Sequence, residues 1–107
     1  MNEAEVVRAL AALAQSLRLR VFRLLVVAGK IGLTPGAIAE ALEVPAAMLS
    51  FHLKDLMHAG LVTQERDGRH LIYRASFEHM NQLLGYLTSN CCRDELRPVE
   101  ADASCGC

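Results

Sequence analysis

The sequence predicts a mainly α-helical fold with one small β-hairpin, followed by a short tail. Apolar residues recur at helical spacing in several segments of the first 90 residues. Asp67-Gly68 stands between two strand-like runs, which is a strong signal for a tight hairpin turn. All four cysteines fall within the last 17 residues. We therefore predict one folded domain at residues 1–90 and a cysteine-bearing tail at residues 91–107.

Two amphipathic helices are predicted at the start of the chain, over residues 3–15 and 17–27, where apolar side chains share one face. A third helix is predicted from Thr34-Pro35 to about Leu42. Threonine caps a helix N-terminus well, and proline suits the first helical position because its missing N–H would be unpaired there. The first half of the chain is therefore expected to be helical.

A fourth helix is predicted over residues 46–58, after a tight break at residues 43–45. Its apolar residues fall on one face and are expected to pack inward: Leu49, Leu53 and Leu56. Two strands follow at residues 61–66 and 69–74, and a last helix is predicted over residues 77–90. Two short helices joined by a tight turn and followed by a hairpin form a winged helix-turn-helix.

The second helix of this pair would lie in a major groove of DNA, with the hairpin, or wing, against the phosphates. Small side chains let the helix approach the bases, while hydroxyl and cationic groups contact bases and phosphates. The predicted DNA contacts on this helix and the wing are Ala47, Ser50, His52, Lys54, Arg66, Gly68 and Arg69. The alternative for Ser50 and Lys54 is a solvated helix face. For His52, which borders the buried stripe, packing is the alternative to a phosphate contact, and both are favoured over a metal role.

The distribution of charge is compatible with double-stranded DNA as a partner. Residues 1–74 hold nine Lys/Arg against seven Asp/Glu, which gives +2. Residues 75–107 hold two against five, which gives −3, and the two parts sum to the net charge of −1. A mildly basic body favours approach to DNA, although an acidic tail also serves solubility alone.

The high apolar content predicts a second copy of the chain as a partner. Hydrophobic residues make up 52% of the chain, which is a large fraction for so small a protein. We predict a homodimer whose interface contains Leu10, Leu13, Leu83 and Leu87, from the apolar stripes of the first and last helices. The alternative for each leucine is the protomer's own core. No apolar run approaches the roughly 18 residues of a membrane span, so no membrane partner is expected.

The cysteines predict chemistry with a soft ion or with oxidants. The C-C pair at residues 91–92 and the C-x-C at residues 105–107 lack the C-x-x-C spacing of a zinc ribbon. Thiolate sulfur is polarizable and prefers thiophilic ions. Disulfides between the two cysteine groups are the alternative. Residues 1–15 carry charges and no long apolar stretch, so we expect no signal peptide and a cytoplasmic protein with reduced thiols.

No enzyme activity is predicted. A thiol oxidoreductase places C-x-x-C at the start of a helix, whereas the adjacent cysteines at residues 91–92 follow the last predicted helix. The sequence contains no nucleophile–base–orienter set and no glycine-rich phosphate loop. A binding protein therefore fits the sequence better than a thiol enzyme or a metallochaperone.

Several of these motifs resemble those of the ArsR/SmtB metalloregulators. The stretch LSFHLKDL at residues 49–56, followed by AGLV at residues 59–62, resembles the family's S-x-H-L-x-x-L…A-G-L-V signature. Residues 9–25 look like its opening helices and residues 71–74 like its wing, so the resemblance covers residues 6–90. It implies a homodimeric winged-helix repressor that needs no cofactor to bind DNA and releases its operator when an inducer binds.

Two features depart from the commoner members of that family. Residues 35–40 contain no cysteine where many arsenic-responsive members carry C-x-C, and the last helix lacks the D-x-H…H-x-x-E ligands of the zinc and cobalt sensors. A third arrangement in the family is similar, in which adjacent cysteines at the end of the last helix and one tail cysteine bind arsenic(III) or antimony(III). The resemblance thus implies Cys91, Cys92 and Cys105 as inducer ligands, with Cys107 as the alternative to Cys105.

Overall fold

The structure is a computed structural model that describes residues 1–89. In chain order, its regular elements are α1 (Glu3–Leu13), α2 (Ser16–Ala28), α3 (Pro35–Leu42), α4 (Leu49–His58), β1 (Val62–Asp67), β2 (His70–Ala75) and α5 (Phe77–Thr88). Helices followed by an antiparallel hairpin and a last helix confirm the predicted winged helix-turn-helix. The predicted tail at residues 91–107 lies outside the described residues.

The helices begin where the sequence supplies caps. The Thr34 hydroxyl accepts a hydrogen bond from the Ala37 N–H at 3.2 Å and starts α3, with proline at the first helical position. The Ser76 hydroxyl accepts from the His79 N–H at 3.2 Å and starts α5. A capping box at Asn2 starts α1. Among residues 1–89, no helix is long and apolar enough to cross a bilayer.

The core is an apolar cluster to which all the helices and both strands contribute. The predicted inward face of α4 is confirmed, because Leu49, Leu53 and Leu56 are at most 2% exposed. On α5, Leu83 is only 4% exposed. The structure therefore favours the protomer's own core for Leu83 over the predicted dimer interface, since the side chain is already buried without a partner.

The α-helix of α4 begins later than predicted. Ala46–Met48 form a 3-10 turn, and α-helical geometry begins at Leu49. Pro45, which precedes this turn, is extended with a ψ of 139°, and Met48 provides no side-chain cap. The backbone therefore enters the helix through a tighter turn. Ala47 lies exposed in that turn, ahead of the helix in which it was predicted.

The hairpin turn is displaced by one residue from its predicted position. Asp67 pairs with His70, so the loop is Gly68-Arg69 and not Asp67-Gly68. Gly68 has a φ of 65°, while Arg69 is not among the residues with positive φ. Glycine at the first loop position is the pattern of a type II′ turn, whose twist matches that of the paired strands. Arg69 therefore occupies the tip of the wing.

Gly32 lets the segment before α3 lie directly against the wing. Leu33 exchanges two backbone hydrogen bonds with Tyr73 of β2, at 2.8 and 3.0 Å. Gly32 has a φ of 70°, and a Cβ there would lie 2.6 Å from Ile72 Cγ2 and 2.7 Å from the Tyr73 carbonyl oxygen. Both the backbone conformation and the available space exclude a side chain.

We expect Gly32→Ala to lower the free energy of unfolding by about 2 kcal/mol or more, because a positive φ is combined with a clash against backbone. The matched control is Gly36→Ala in the first turn of α3, where a Cβ would meet nothing within 4 Å. The control is expected to stay within about 1 kcal/mol of the parent chain. Urea unfolding followed by circular dichroism compares them, and equal midpoints for the two variants would contradict this account.

Candidate nucleic-acid interface

The solvent-exposed face of α4 carries two of the residues that were predicted to contact DNA. Ser50 and Lys54 are exposed, on the part of the helix surface that the buried leucine stripe leaves to solvent. Ala47 is exposed in the turn just before them. The structure therefore places a hydroxyl and an ammonium on one surface of α4, which suits contact with base edges and phosphates.

A groove of about 350 Å³ separates α4 from the wing. It is lined by Ser50, Lys54, Met57 and His58 of α4 and by Gln64 and Tyr73 of the hairpin. The Gln64 side-chain amide donates a hydrogen bond to the Tyr73 hydroxyl at 2.8 Å, which links the two strands across this side of the wing. The helix and the wing thus present adjoining polar surfaces.

The arginine towards the base of the wing is held by protein contacts, whereas the arginines near its tip are exposed. Arg74 Nε donates to the Lys30 carbonyl oxygen at 2.6 Å, and Arg74 Nη1 lies 2.6 Å from Glu65 Oε1. Arg66 and Arg69 near the tip are exposed, and neither takes part in an ion pair within residues 1–89. Two guanidinium groups are therefore available to phosphates beside α4.

Arg18 of α2 makes a contact with α4 that the sequence analysis missed. Its Nε donates to His52 Nδ1 at 3.1 Å, and its Nη2 lies 2.5 Å from Asp55 Oδ2. The two acceptors are three residues apart on α4, so they lie on the same side of the helix. That spacing is the sequence signal that this contact offers. The contact favours the packing alternative for His52, because one ring nitrogen is already bound within the protein.

Phe51 is the second residue that the sequence analysis missed at this site. It is 62% exposed although it belongs to the same helix as the buried leucines. Arg18 Cζ lies 5.8 Å from the centroid of its ring. Its place opposite the leucine stripe on a helical wheel is the signal that would have identified it.

Comparison with known proteins gives the family. A family model described as a helix-turn-helix domain matches residues 13–65. The HTH-type transcriptional repressor SmtB of Mycobacterium tuberculosis is 43% identical over 47 residues, which is 44% of this chain and 35% of SmtB. An ArsR-like transcriptional regulator from Rhodococcus sp. RHA1 has a TM-score of 0.75 and 25% identity, with 94% of this chain and 92% of that chain covered. This chain belongs to the ArsR/SmtB family.

The matched segment spans about a third of the length of the curated SmtB relatives. Two further structures share the ArsR/SmtB fold over most of their length. One is described as a possible transcriptional regulator for arsenical resistance. It has 28% identity and a TM-score of 0.64, and the match covers 92% of this chain and 93% of that chain. The other is the homodimeric winged helix-turn-helix DNA-binding domain of Mb0332 from Mycobacterium bovis. It has 26% identity and a TM-score of 0.65, and the match covers 88% of this chain and 83% of that chain. The family regulates transcription, which confirms the prediction of a non-enzymatic protein.

In this member of the family, α1 and α5 expose apolar side chains. Leu10 is 42% exposed and Leu87 is 51% exposed, so both remain predicted interface residues. Val7, 56% exposed, and Leu84, 51% exposed, lie one helical turn from them. The sequence analysis did not include these two residues in the predicted interface. Leu13 is half-buried against the core. Exposed apolar clusters of this kind indicate an interaction surface.

The predicted inducer ligands of this family member, Cys91, Cys92 and Cys105, lie outside the described residues. The adjacent cysteines follow the last residue of α5, Thr88, by three and four positions in the sequence. Within residues 1–89, no group of three or more His, Cys, Asp or Glu side chains is arranged to hold a metal ion.

Proposed function

We propose that this chain is a homodimeric transcriptional repressor that binds double-stranded operator DNA. One observation carries this proposal: α4 buries its leucine stripe and presents Ser50 and Lys54 beside a wing whose tip carries Arg66 and Arg69. A helix with this exposed face fits a major groove, and the wing arginines are placed to neutralise flanking phosphates. The similarity of part of the chain to the transcriptional repressor SmtB supports the proposal of a repressor.

The exposed apolar surface of α1 and α5 supports the homodimeric part of the proposal. A dimer places two copies of α4 on one side of the assembly, where they contact half-sites one helical turn apart. DNA binding then depends on the relative orientation of the two protomers. The Mb0332 domain, which is described as homodimeric, has the same fold.

We further propose that arsenic(III) or antimony(III) is the inducer and binds thiolates of Cys91, Cys92 and Cys105 or Cys107. Trivalent arsenic and antimony are soft and favour three sulfur ligands. Twelve residues separate Cys92 from Cys105, and closing a flexible loop of that length costs only a few kcal/mol. The similar structure described as a possible regulator for arsenical resistance supports this choice of inducer.

Binding of the metalloid next to α5 would act on the dimer, since α5 contributes to the proposed interface. A coupling free energy of roughly 1–3 kcal/mol between inducer and DNA lowers DNA affinity about 5- to 150-fold. That range is enough to release an operator. Reduced thiols are required, so the proposal includes a cytoplasmic location.

The test is release of the full chain from a duplex that it has selected out of a random DNA pool. Arsenite, antimonite, zinc, cadmium and hydrogen peroxide are titrated separately into the complex, with fluorescence anisotropy as the readout. We expect arsenite and antimonite to release the DNA at lower concentrations than zinc. Release by peroxide but not by arsenite would favour the thiol-oxidation alternative, and failure to select any duplex would contradict the proposed function.

Lys54→Ala and Arg69→Ala are each expected to weaken binding to selected and unrelated duplexes alike, because each removes a phosphate contact. In a dimer each change removes two such contacts, so the slope of log affinity against log salt should decrease by about 2. Arg23→Ala is the control, since Arg23 is an exposed cation that lines a groove between α2 and α3. Variants at Lys54 and Arg69 that keep the salt slope of the parent chain would show that α4 and the wing are misplaced on DNA.

A further inference from the structure

Phe51 stands at the centre of the outward face of α4. Each residue of an α-helix advances about 100°, so Phe51 lies roughly 170° around the helix from the middle of the buried leucine stripe. Ser50 and Lys54 lie towards the wing on one side of it. Phe51 is also the third residue of α4, and the N-terminal residues of a recognition helix are those that contact base edges.

The exposure of Phe51 leaves an apolar surface in water. Its 62% exposure contrasts with at most 2% for the three leucines of the same helix. Removing apolar area from water is favourable, and a phenyl ring offers one of the largest such areas of any side chain. Binding of an apolar group at this point would therefore gain free energy that a polar residue here would not provide.

The phenyl ring is supported on one flank. Arg18 Cζ lies 5.8 Å from the ring centroid, within the range of a cation–π contact. Arg18 is itself held by His52 and Asp55, and the His52 ring is edge-on to Phe51 with centroids 5.7 Å apart. These contacts orient the ring before any ligand binds, which lowers the entropy lost on binding.

The chemistry of the surroundings identifies the ligand. The same helix exposes Lys54 and the wing exposes Arg66 and Arg69, and cationic groups of this kind suit DNA. In the major groove, thymine is distinguished by its C5-methyl group, whereas the other base edges present hydrogen-bond donors and acceptors. We propose that Phe51 determines operator specificity by contacting a thymine methyl group in each half-site. This inference rests on the proposed function, because it requires α4 to lie in a major groove.

Deoxyuridine tests the proposal, since it lacks only the methyl group of thymine. The full chain first selects duplexes from a random pool, and each thymine of the selected half-site is then replaced singly by deoxyuridine. At one position we expect binding to weaken about fourfold per half-site, which is the effect of withdrawing one methyl group from an apolar contact. Replacement at the other thymines of the half-site should leave affinity unchanged.

The variants assign this dependence to Phe51. Phe51→Ala and Phe51→Gln should bind the thymine and deoxyuridine duplexes equally, while Phe51→Leu should retain part of the difference. Val27→Ala removes a side chain that is 78% exposed on α2 and should keep the full difference. The exposure of Phe51 predicts that all its variants fold, which circular dichroism checks.

The outcomes separate this inference from the proposed function. A chain that selects duplexes but shows no methyl-dependent thymine, or keeps the dependence in Phe51→Ala, overturns the role of Phe51 and leaves the repressor proposal standing. A chain that selects no duplex overturns both. A fourfold methyl effect that disappears in Phe51→Ala and persists in Val27→Ala establishes the contact.

Discussion

Leu87→Glu is expected to convert the dimer to monomer and to reduce operator affinity by about 100-fold or more. Leu87 is 51% exposed in the protomer, beside the equally exposed Leu84, so the substitution leaves the protomer's core intact. In a symmetric dimer it would bury two carboxylates in an apolar interface, where an unpaired charge is strongly unfavourable. A monomer has one DNA-binding unit instead of two, so it loses the avidity that comes from binding two linked half-sites. That avidity raises DNA affinity by about 100-fold or more.

Sedimentation velocity measures the association state of the Leu87→Glu chain, and anisotropy with the selected duplex measures its affinity. Gln82→Glu is the matched control, because it adds the same charge at an exposed polar position of α5. The control should remain dimeric and bind DNA like the parent chain. A folded Leu87→Glu protein that still sediments as a dimer would remove α5 from the interface.

Cys91→Ser and Cys92→Ser are expected to bind the operator normally and to lose release by arsenite. Neither residue belongs to the proposed DNA-binding face of α4 or to the wing, so DNA affinity should not change. A hydroxyl is a poor substitute for a soft thiolate, and the proposed site needs both adjacent thiolates together with one from the tail. Anisotropy titrations with arsenite should therefore show no release at concentrations that fully release the parent chain.

Variants of the two tail cysteines provide a control for this prediction and test whether a third thiolate is needed. The proposed site uses three thiolates and the chain has four cysteines, so one of Cys105→Ser and Cys107→Ser should retain release. We expect the sensitive variant to be Cys105→Ser, because the shorter loop is favoured, although only by tenths of a kcal/mol. Truncation after Arg93 removes both tail thiols and should abolish release. If arsenite releases the truncated chain at the parent's concentrations, two thiolates suffice and the three-sulfur site is wrong.

The periodicity of the sequence determined most of the fold because burial follows helical geometry. Leu49, Leu53 and Leu56 recur at helical spacing and are buried, and Thr34 caps the helix that it was predicted to start. These features depend on neighbours within a few residues, which a sequence displays directly. The face of α4 proposed to contact DNA follows from them, since it is the face that the leucines do not occupy.

Features that depend on contacts between distant segments required the tertiary structure. The pairing of Arg18 with His52 and Asp55 joins residues more than 30 positions apart, and no local pattern specifies which neighbour a long cationic side chain meets. The division of the α5 leucines is of the same kind. Leu83 and Leu87 share one apolar stripe, and only the packing of the protomer shows that the first is core and the second exposed.

The hairpin shows the same limit on a smaller scale. Asp67-Gly68 predicted a turn, but the conformation of the loop and the pairing of Asp67 with His70 placed Arg69 at its tip. A sequence states that a glycine permits a positive φ, whereas the register of the strands decides which loop position uses it. The helices, the wing and the choice of α4 as the helix proposed to contact DNA could therefore all be predicted from local sequence patterns. The tertiary structure decided which side chains those elements bury, tether or leave exposed, because those outcomes depend on neighbours that folding brings together.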